Sequence, residues 1–182
     1  MFNKNSTYII AEVGQNHQGE LSKAFEYIKE FSQLGADAVK FQMRDNKFLF
    51  DKEMFNSPYF SNNAFGSTYG EHREYLELSF QEMGKLRDFC NDCNVDFICT
   101  PFDESSLDSL SKINPDAIKI ASFDIGNTIF IEKISLLKKP VIMSTGGANL
   151  NQIDLSIKSL NLPNEKLAVL HCVSKYPCPP NE

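Results

Sequence analysis

Apolar positions along this chain gather into six short runs: Thr7–Val13, Ala38–Gln42, 96–100, 117–121, 140–143 and 167–171. Segments with helical spacing precede all but the first, near 21–34, 80–93, 104–112, 127–137 and 149–160. In the first of these, Leu21, Ala24, Phe25, Ile28 and Phe31 fall on one face, and Gly35 stops the helix. A strand, helix, strand unit of this length pairs its strands in parallel through a right-handed crossover. Five of the runs end in, or carry, polar residues: Lys40 and Gln42, Thr100, Lys119 and Ser122, Ser144, and His171. A barrel of parallel strands gathers such residues at one end, where barrels do chemistry. The pattern therefore predicts an α/β chain, an incomplete TIM-type (β/α) barrel with about six of the eight parallel strands. An open doubly wound sheet is the alternative. The barrel is favoured because polar residues close nearly every strand, and because Gly14–Gly19 lacks the spacing of a nucleotide-binding loop.

Between the second strand and the next helix, residues 43–78 break this rhythm. The stretch is rich in Asn, Ser, Phe and Tyr. It is expected to be an irregular insert of the kind that serves as a lid or binding loop. The rest of 1–182 reads as one domain, with no internal repeat.

Composition narrows the function. A net charge of −6 gives no reason to expect nucleic acid or an acidic membrane as partner, and no apolar run is long enough to span a bilayer. The first residues lack a cleavable signal pattern, which points to the cytoplasm. Five cysteines are too sparse for a secreted scaffold, and Cys90-Asn91-Asp92-Cys93 closes a helix where a thioredoxin-like pair would open one. Reduced thiols are expected, with neither a redox pair nor a zinc site.

Candidate chemistry starts with Lys40 and Lys119, which sit inside apolar runs. A lysine there finds an anion, leads its amine out to solvent, or has its pKa depressed. Two on separate strands favour a small multivalent anion, a carboxylate or a phosphate, with Thr100, Ser122 and Ser144 as neutral donors. The competing chemistry is a Schiff-base aldolase with Lys40 or Lys119 as nucleophile. Glu12 and Asp124 are the matching carboxylates, able to orient hydroxyls or water or to act as acid or base. Gln42 is suited either to reading a carboxylate or sugar oxygen or to a structural amide bond. His17 and His171 suit substrate binding, metal binding or plain packing, and they do not complete a metal site. Gly146-Gly147 forms a nest-like turn before a helix, a setting that favours anions.

These residues, taken in order, carry a resemblance. Ile10-Ala11-Glu12-Val13-Gly14-Gln15-Asn16-His17-Gln18-Gly19 resembles the opening signature of the sialic acid synthase (N-acetylneuraminate synthase) family. Gly35-Ala36-Asp37-Ala38-Val39-Lys40-Phe41-Gln42, Thr100-Pro101-Phe102-Asp103, Lys119-Ile120-Ala121-Ser122, Ser144-Thr145-Gly146-Gly147 and His171-Cys172-Val173-Ser174-Lys175-Tyr176-Pro177 continue it. Thr68-Tyr69-Gly70-Glu71-His72-Arg73 is similar to a stretch of the subgroup that includes animal sialic acid synthases.

The resemblance implies condensation of phosphoenolpyruvate with N-acetylmannosamine, its 6-phosphate or a related N-acylated aminosugar, giving a nonulosonic acid and phosphate. It implies that Lys40 and Gln42 lie near the phosphoenolpyruvate carboxylate, and that Thr100, Lys119, Ser122 and Ser144 lie near its phosphate. Glu12 would orient substrate. Asp124, where many relatives have glutamate, would handle a proton or water. Ser174 stands where some relatives use asparagine near phosphate, and Tyr176 would lie near the acceptor. A divalent metal, Mn2+ or Mg2+, and a homodimer are implied for the complete enzyme. The family's metal ligands and antifreeze-like C-terminal domain fall beyond residue 182, so the isolated chain is expected to be inactive, with open sheet edges at Thr7–Val13 and Leu167–Cys172. Besides the aldolase, a non-catalytic ligand-binding or assembly segment is the other alternative.

Overall fold

The computed structural model describes residues 7–175 and 177–181. Two compact units divide the chain, one spanning Tyr8–Pro115 and the other built on Asp116–Glu182.

The Tyr8–Pro115 unit begins with β1 (Ile10–Gly14), α1 (Leu21–Gln33) and β2 (Ala38–Met43). The insert follows with three short helices, α2 (Asn46–Leu49), α3 (Lys52–Asn56) and α4 (Tyr69–Tyr75). The unit closes with α5 (Phe80–Asp92), β3 (Asp96–Pro101) and α6 (Glu104–Ile113). All three strands are parallel, in the order β1-β2-β3, with Glu12 opposite Lys40 and Gln42 opposite Thr100. β1 shifts register between Glu12 and Gly14, a bulge completed by Gly14 at φ +57°. Glycine takes this left-handed conformation at little cost. A Cβ there would also press on Gln42 and Glu12, at 3.2 Å from Nε2 and Oε1. The core packs Phe41 on Phe97, ring centroids 5.8 Å apart, with Ile28, Met83 and Leu86 fully buried from the covering helices.

The other unit has β4 (Ala117–Ile120), a 3-10 turn (Ser122–Asp124), α7 (Thr128–Leu136), β5 (Val141–Ser144), α8 (Leu150–Leu160) and β6 (Leu167–Leu170). Its strands are likewise parallel, in the order β4-β5-β6. Ile118, Ile120, Ile131, Ile134 and Ile142 fill its core. Val169 and Leu170 on β6 are exposed.

Six strands and five long helices stand within a few residues of where apolar periodicity predicts them. The first strand is shorter than expected, starting at Ile10 rather than Thr7. The insert corrects the expectation of an irregular segment, because local capping organises it. Asp45 and Asp51 accept from the backbone N–H groups of Phe48 and Met54, starting α2 and α3. Thr68 and Glu71 form a reciprocal capping box on α4. Phe50, Tyr59 and Tyr69 then pack edge to face, and His72 stacks on Tyr59 at 4.5 Å.

Candidate functional site

Two polar clusters stand out, one in each unit. In the Tyr8–Pro115 unit, parallel register sets Glu12 on β1 beside Lys40 on β2. Their side chains form an ion pair between Lys40 Nζ and Glu12 Oε2. Gln42 Nε2 donates to the other Glu12 oxygen at 2.8 Å. The side chains of 40 and 42 share one face because strand side chains alternate. Thr100, opposite Gln42 on β3, is 3% exposed. The structure thus brings together Glu12, Lys40 and Gln42.

Arg44 and Glu77 were missed. Arg44 Nη2 donates to Gln42 Oε1 at 2.5 Å. The Arg44 guanidinium lies 3.7 Å from the centroid of the Phe102 ring, and its Nη1 reaches Glu77 Oε1 at 3.4 Å. Glu77 also accepts from the Arg44 backbone N–H at 3.2 Å and from Gln15 Nε2 at 2.5 Å. Burial pushes the Glu77 carboxyl up to about 7, against the opposing pull of Arg44 and Arg73. No short-range pattern announces this pair, since its members lie 33 residues apart.

His17 is a packed residue. It is 2% exposed, its Nδ1 accepts from Gly19 N at 3.1 Å, and burial lowers its pKa. His171 is exposed. Among the described residues no group of three or more His, Cys, Asp and Glu could hold a metal ion. The described side chains do not by themselves assemble a metal site. None of the five cysteines forms a disulfide among the described residues.

The second cluster surrounds the Ser144–Gly147 turn at the end of β5. Lys119, on β4, is 7% exposed, and its Nζ donates to Ile120 O at 2.5 Å. Ser122 Oγ accepts from Gly146 N at 3.1 Å. Thr145 Oγ1 donates to Leu170 O at 2.7 Å, tying the turn to β6. A Cβ on Gly146 would lie 2.6 Å from Ser174 Oγ, 3.2 Å from Ser122 Oγ and 3.4 Å from Cys172 Cβ, so these three residues crowd one point. Burial raises the Cys172 pKa, but the Ser144 hydroxyl, the Thr145 and Gly146 N–H groups and the Lys119 charge outweigh it and hold the thiol below its ordinary range. Asp124, in the 3-10 turn, is 4% exposed. Tyr176 lies outside the described residues.

Lysines and hydroxyls at the ends of parallel strands, with a glycine turn after β5, are the arrangement of an α/β barrel-type protein. The NeuB family model matches residues 27–182, and the chain belongs to that family. It is 39% identical over 179 residues to the N-acetylneuraminate-9-phosphate synthase of Drosophila melanogaster, covering 98% of this chain and 48% of that protein. It is 36% identical to the N,N'-diacetyllegionaminic acid synthase of Legionella pneumophila, covering 93% and 49%. The chain spans about half the length of the curated relatives it matches. A crystal structure of N-acetylneuraminic acid synthetase from Leptospira borgpetersenii, in complex with citrate, superposes with a TM-score of 0.79 at 30% identity, covering 97% of this chain and 57% of that one. The fold is accordingly that of an incomplete TIM-type barrel with six parallel strands. Among the described residues no helix is long and apolar enough to cross a membrane.

Proposed function

We propose that this chain carries the phosphoenolpyruvate-handling part of a synthase that condenses phosphoenolpyruvate with an N-acylated aminosugar. The observation that carries the reading is the donor set of the Ser144–Gly147 turn. Gly146 N donates to Ser122 Oγ at 3.1 Å and the Ser174 hydroxyl lies against Gly146, with the buried Lys119 on the adjoining strand, and these groups suit the oxygens of a phosphate.

In the reaction, C3 of phosphoenolpyruvate attacks the aldehyde carbon of the open-chain sugar, and the aldehyde oxygen takes a proton to become a hydroxyl. Water adds at C2. The bond from C2 to the phosphate oxygen then breaks, leaving a 2-keto acid and inorganic phosphate. Lys119, Ser122, Ser144 and Thr100 are assigned to the phosphate. Lys40 and Gln42 are assigned to the carboxylate, and Glu12 to orienting substrate. Asp124 handles the proton or positions water, Ser174 supports the phosphate side, and Tyr176 contacts the acceptor.

Three carbons are added, so the acceptor's C6 becomes the product's C9, and a 9-phosphate product requires a 6-phosphorylated aminosugar. Identity of 39% to a 9-phosphate synthase supports N-acetylmannosamine 6-phosphate over the unphosphorylated sugar. A divalent metal, Mn2+ or Mg2+, a homodimer and a cytoplasmic location belong to the proposal for the whole protein.

The test supplies phosphoenolpyruvate, acceptor and Mn2+ to the whole protein and measures phosphate release. Release that needs both substrates and fails in Lys119→Met supports the reading. Borohydride trapping of a keto substrate on Lys40 or Lys119 would replace it with a Schiff-base aldolase.

A further inference from the structure

The Gln42 side chain is held from both ends by groups of opposite character. A guanidinium has only donors and an ionised carboxylate only acceptors. Arg44 therefore requires the amide oxygen to face it, and Glu12 requires the amide nitrogen. The geometry meets both demands, with Arg44 Nη2 on Oε1 at 2.5 Å and Nε2 on Glu12 Oε1 at 2.8 Å. A flipped amide would set donor against donor at one end and acceptor against acceptor at the other. Gln42 thus has one permitted orientation, and its second Nε2–H is the donor left for a ligand.

Arg44 is itself fixed. Its side chain is 9% exposed and rests on Phe102, and it meets the Glu77 carboxylate, 14% exposed, at 3.4 Å. Glu77 in turn is tied by the Arg44 backbone N–H and by Gln15 from the turn after β1. A continuous chain runs from Gln15 through Glu77, Arg44, Gln42 and Glu12 to Lys40, within the Tyr8–Pro115 unit. Three of its six members sit in the strand pair, and Glu77 comes from the last residues of the insert, just before α5.

We propose that Arg44 and Glu77 are positioning residues: Glu77 anchors the Arg44 guanidinium, and Arg44 sets the Gln42 amide so that its nitrogen serves Glu12 and the ligand carboxylate. This rests on the reading of Gln42 and Lys40 as carboxylate-binding residues. It makes the junction at the end of the insert part of the binding machinery through contacts, with no requirement that the insert touch the ligand.

The experiment uses the nitrogen-15-labelled 182-residue chain and follows the Gln42 side-chain amide resonances, assigned by their loss in Gln42→Glu. Phosphoenolpyruvate is titrated into each variant. Arg44→Leu is expected to move the Gln42 resonances toward free-amide positions and to weaken phosphoenolpyruvate binding about 10-fold, the loss of roughly one charge-assisted hydrogen bond's worth of order. Glu77→Ala should do the same to a smaller extent, and Glu77→Gln should recover most of that loss because it keeps an acceptor for Arg44. The double variant Arg44→Met with Glu77→Met guards against unfolding, since it leaves no lone buried charge, and it too should release Gln42.

Unchanged Gln42 resonances in a folded Arg44→Leu or double variant would overturn the proposal, as would equal effects of Glu77→Ala and Glu77→Gln. If the wild type binds no phosphoenolpyruvate while Gln42 still moves, the positioning stands and the assignment of the ligand falls. If the wild type binds and Gln42 does not move, the positioning alone falls.

Discussion

The Lys40 cluster and the Lys119 cluster solve the same problem, a buried amine near a strand end, in opposite ways. Lys40 is answered by a carboxylate, Glu12, within a chain of alternating charge that continues to Gln42, Arg44 and Glu77. Lys119 is answered by the Ile120 carbonyl, in company with hydroxyls and backbone N–H groups. The first cluster is satisfied by its own side chains and therefore excels at orientation. The second gathers hydroxyls and backbone N–H groups at one glycine turn, groups of a kind that suit an anion.

The comparison breaks most severely at Glu77. Its carboxyl is lifted from about 4.5 to about 7, so the folded state holds this proton more tightly than the unfolded chain. The associated stability is fully present below about pH 4.5 and is lost as pH rises through about 7, a change of about 3 kcal/mol. Denaturant melts across that range should show this decline in the wild type. In Glu77→Gln the contribution to the slope should vanish, because nothing is left to ionise.

Lys119→Met probes the donor-rich side. Removing a buried cation that meets an anion should cost about 2 kcal/mol, or roughly 30-fold in phosphoenolpyruvate affinity by calorimetry, with the Lys40 cluster intact by nuclear magnetic resonance. Gly146→Ala follows. The added methyl would fall 2.6 Å from Ser174 Oγ, and overpacking of this kind costs about 1–2 kcal/mol. Melting should register the loss, and phosphate binding should weaken with it.

The smallest effect concerns the thiols. Iodoacetamide should modify Cys172 with a pH midpoint below the ordinary thiol range, whereas fully buried Cys99, whose thiol burial pushes up, should resist. Saturating phosphate should slow the Cys172 reaction several-fold, and mass spectrometry of the peptides separates the two sites.

Much of this was readable in the sequence because it follows period. Apolar alternation and helical spacing located β2 to β6 and the five long helices, since their buried faces repeat over many residues. Lys40, Lys119, Ser122 and Ser144 were visible as polar residues embedded in those runs. The insert was misread because α2, α3 and α4 have 4, 5 and 7 residues, too few to show a period. Their caps were nonetheless in the letters, Asp45, Asp51 and the Thr68–Glu71 box. Arg44 and Glu77 carry no local signal, for a charge beside an insert looks like any solvated residue until the fold buries it. Cys172 was seen as part of a family motif, but its role as a reporter of the donor set required the turn's geometry.

Isothermal titration of phosphoenolpyruvate into the folded 182-residue chain, beside Lys119→Met, tests the central claim most directly. Saturable one-to-one binding that weakens roughly 30-fold in the variant is the expected result. Absence of saturable binding by the folded wild type, or equal affinity in Lys119→Met, would contradict it.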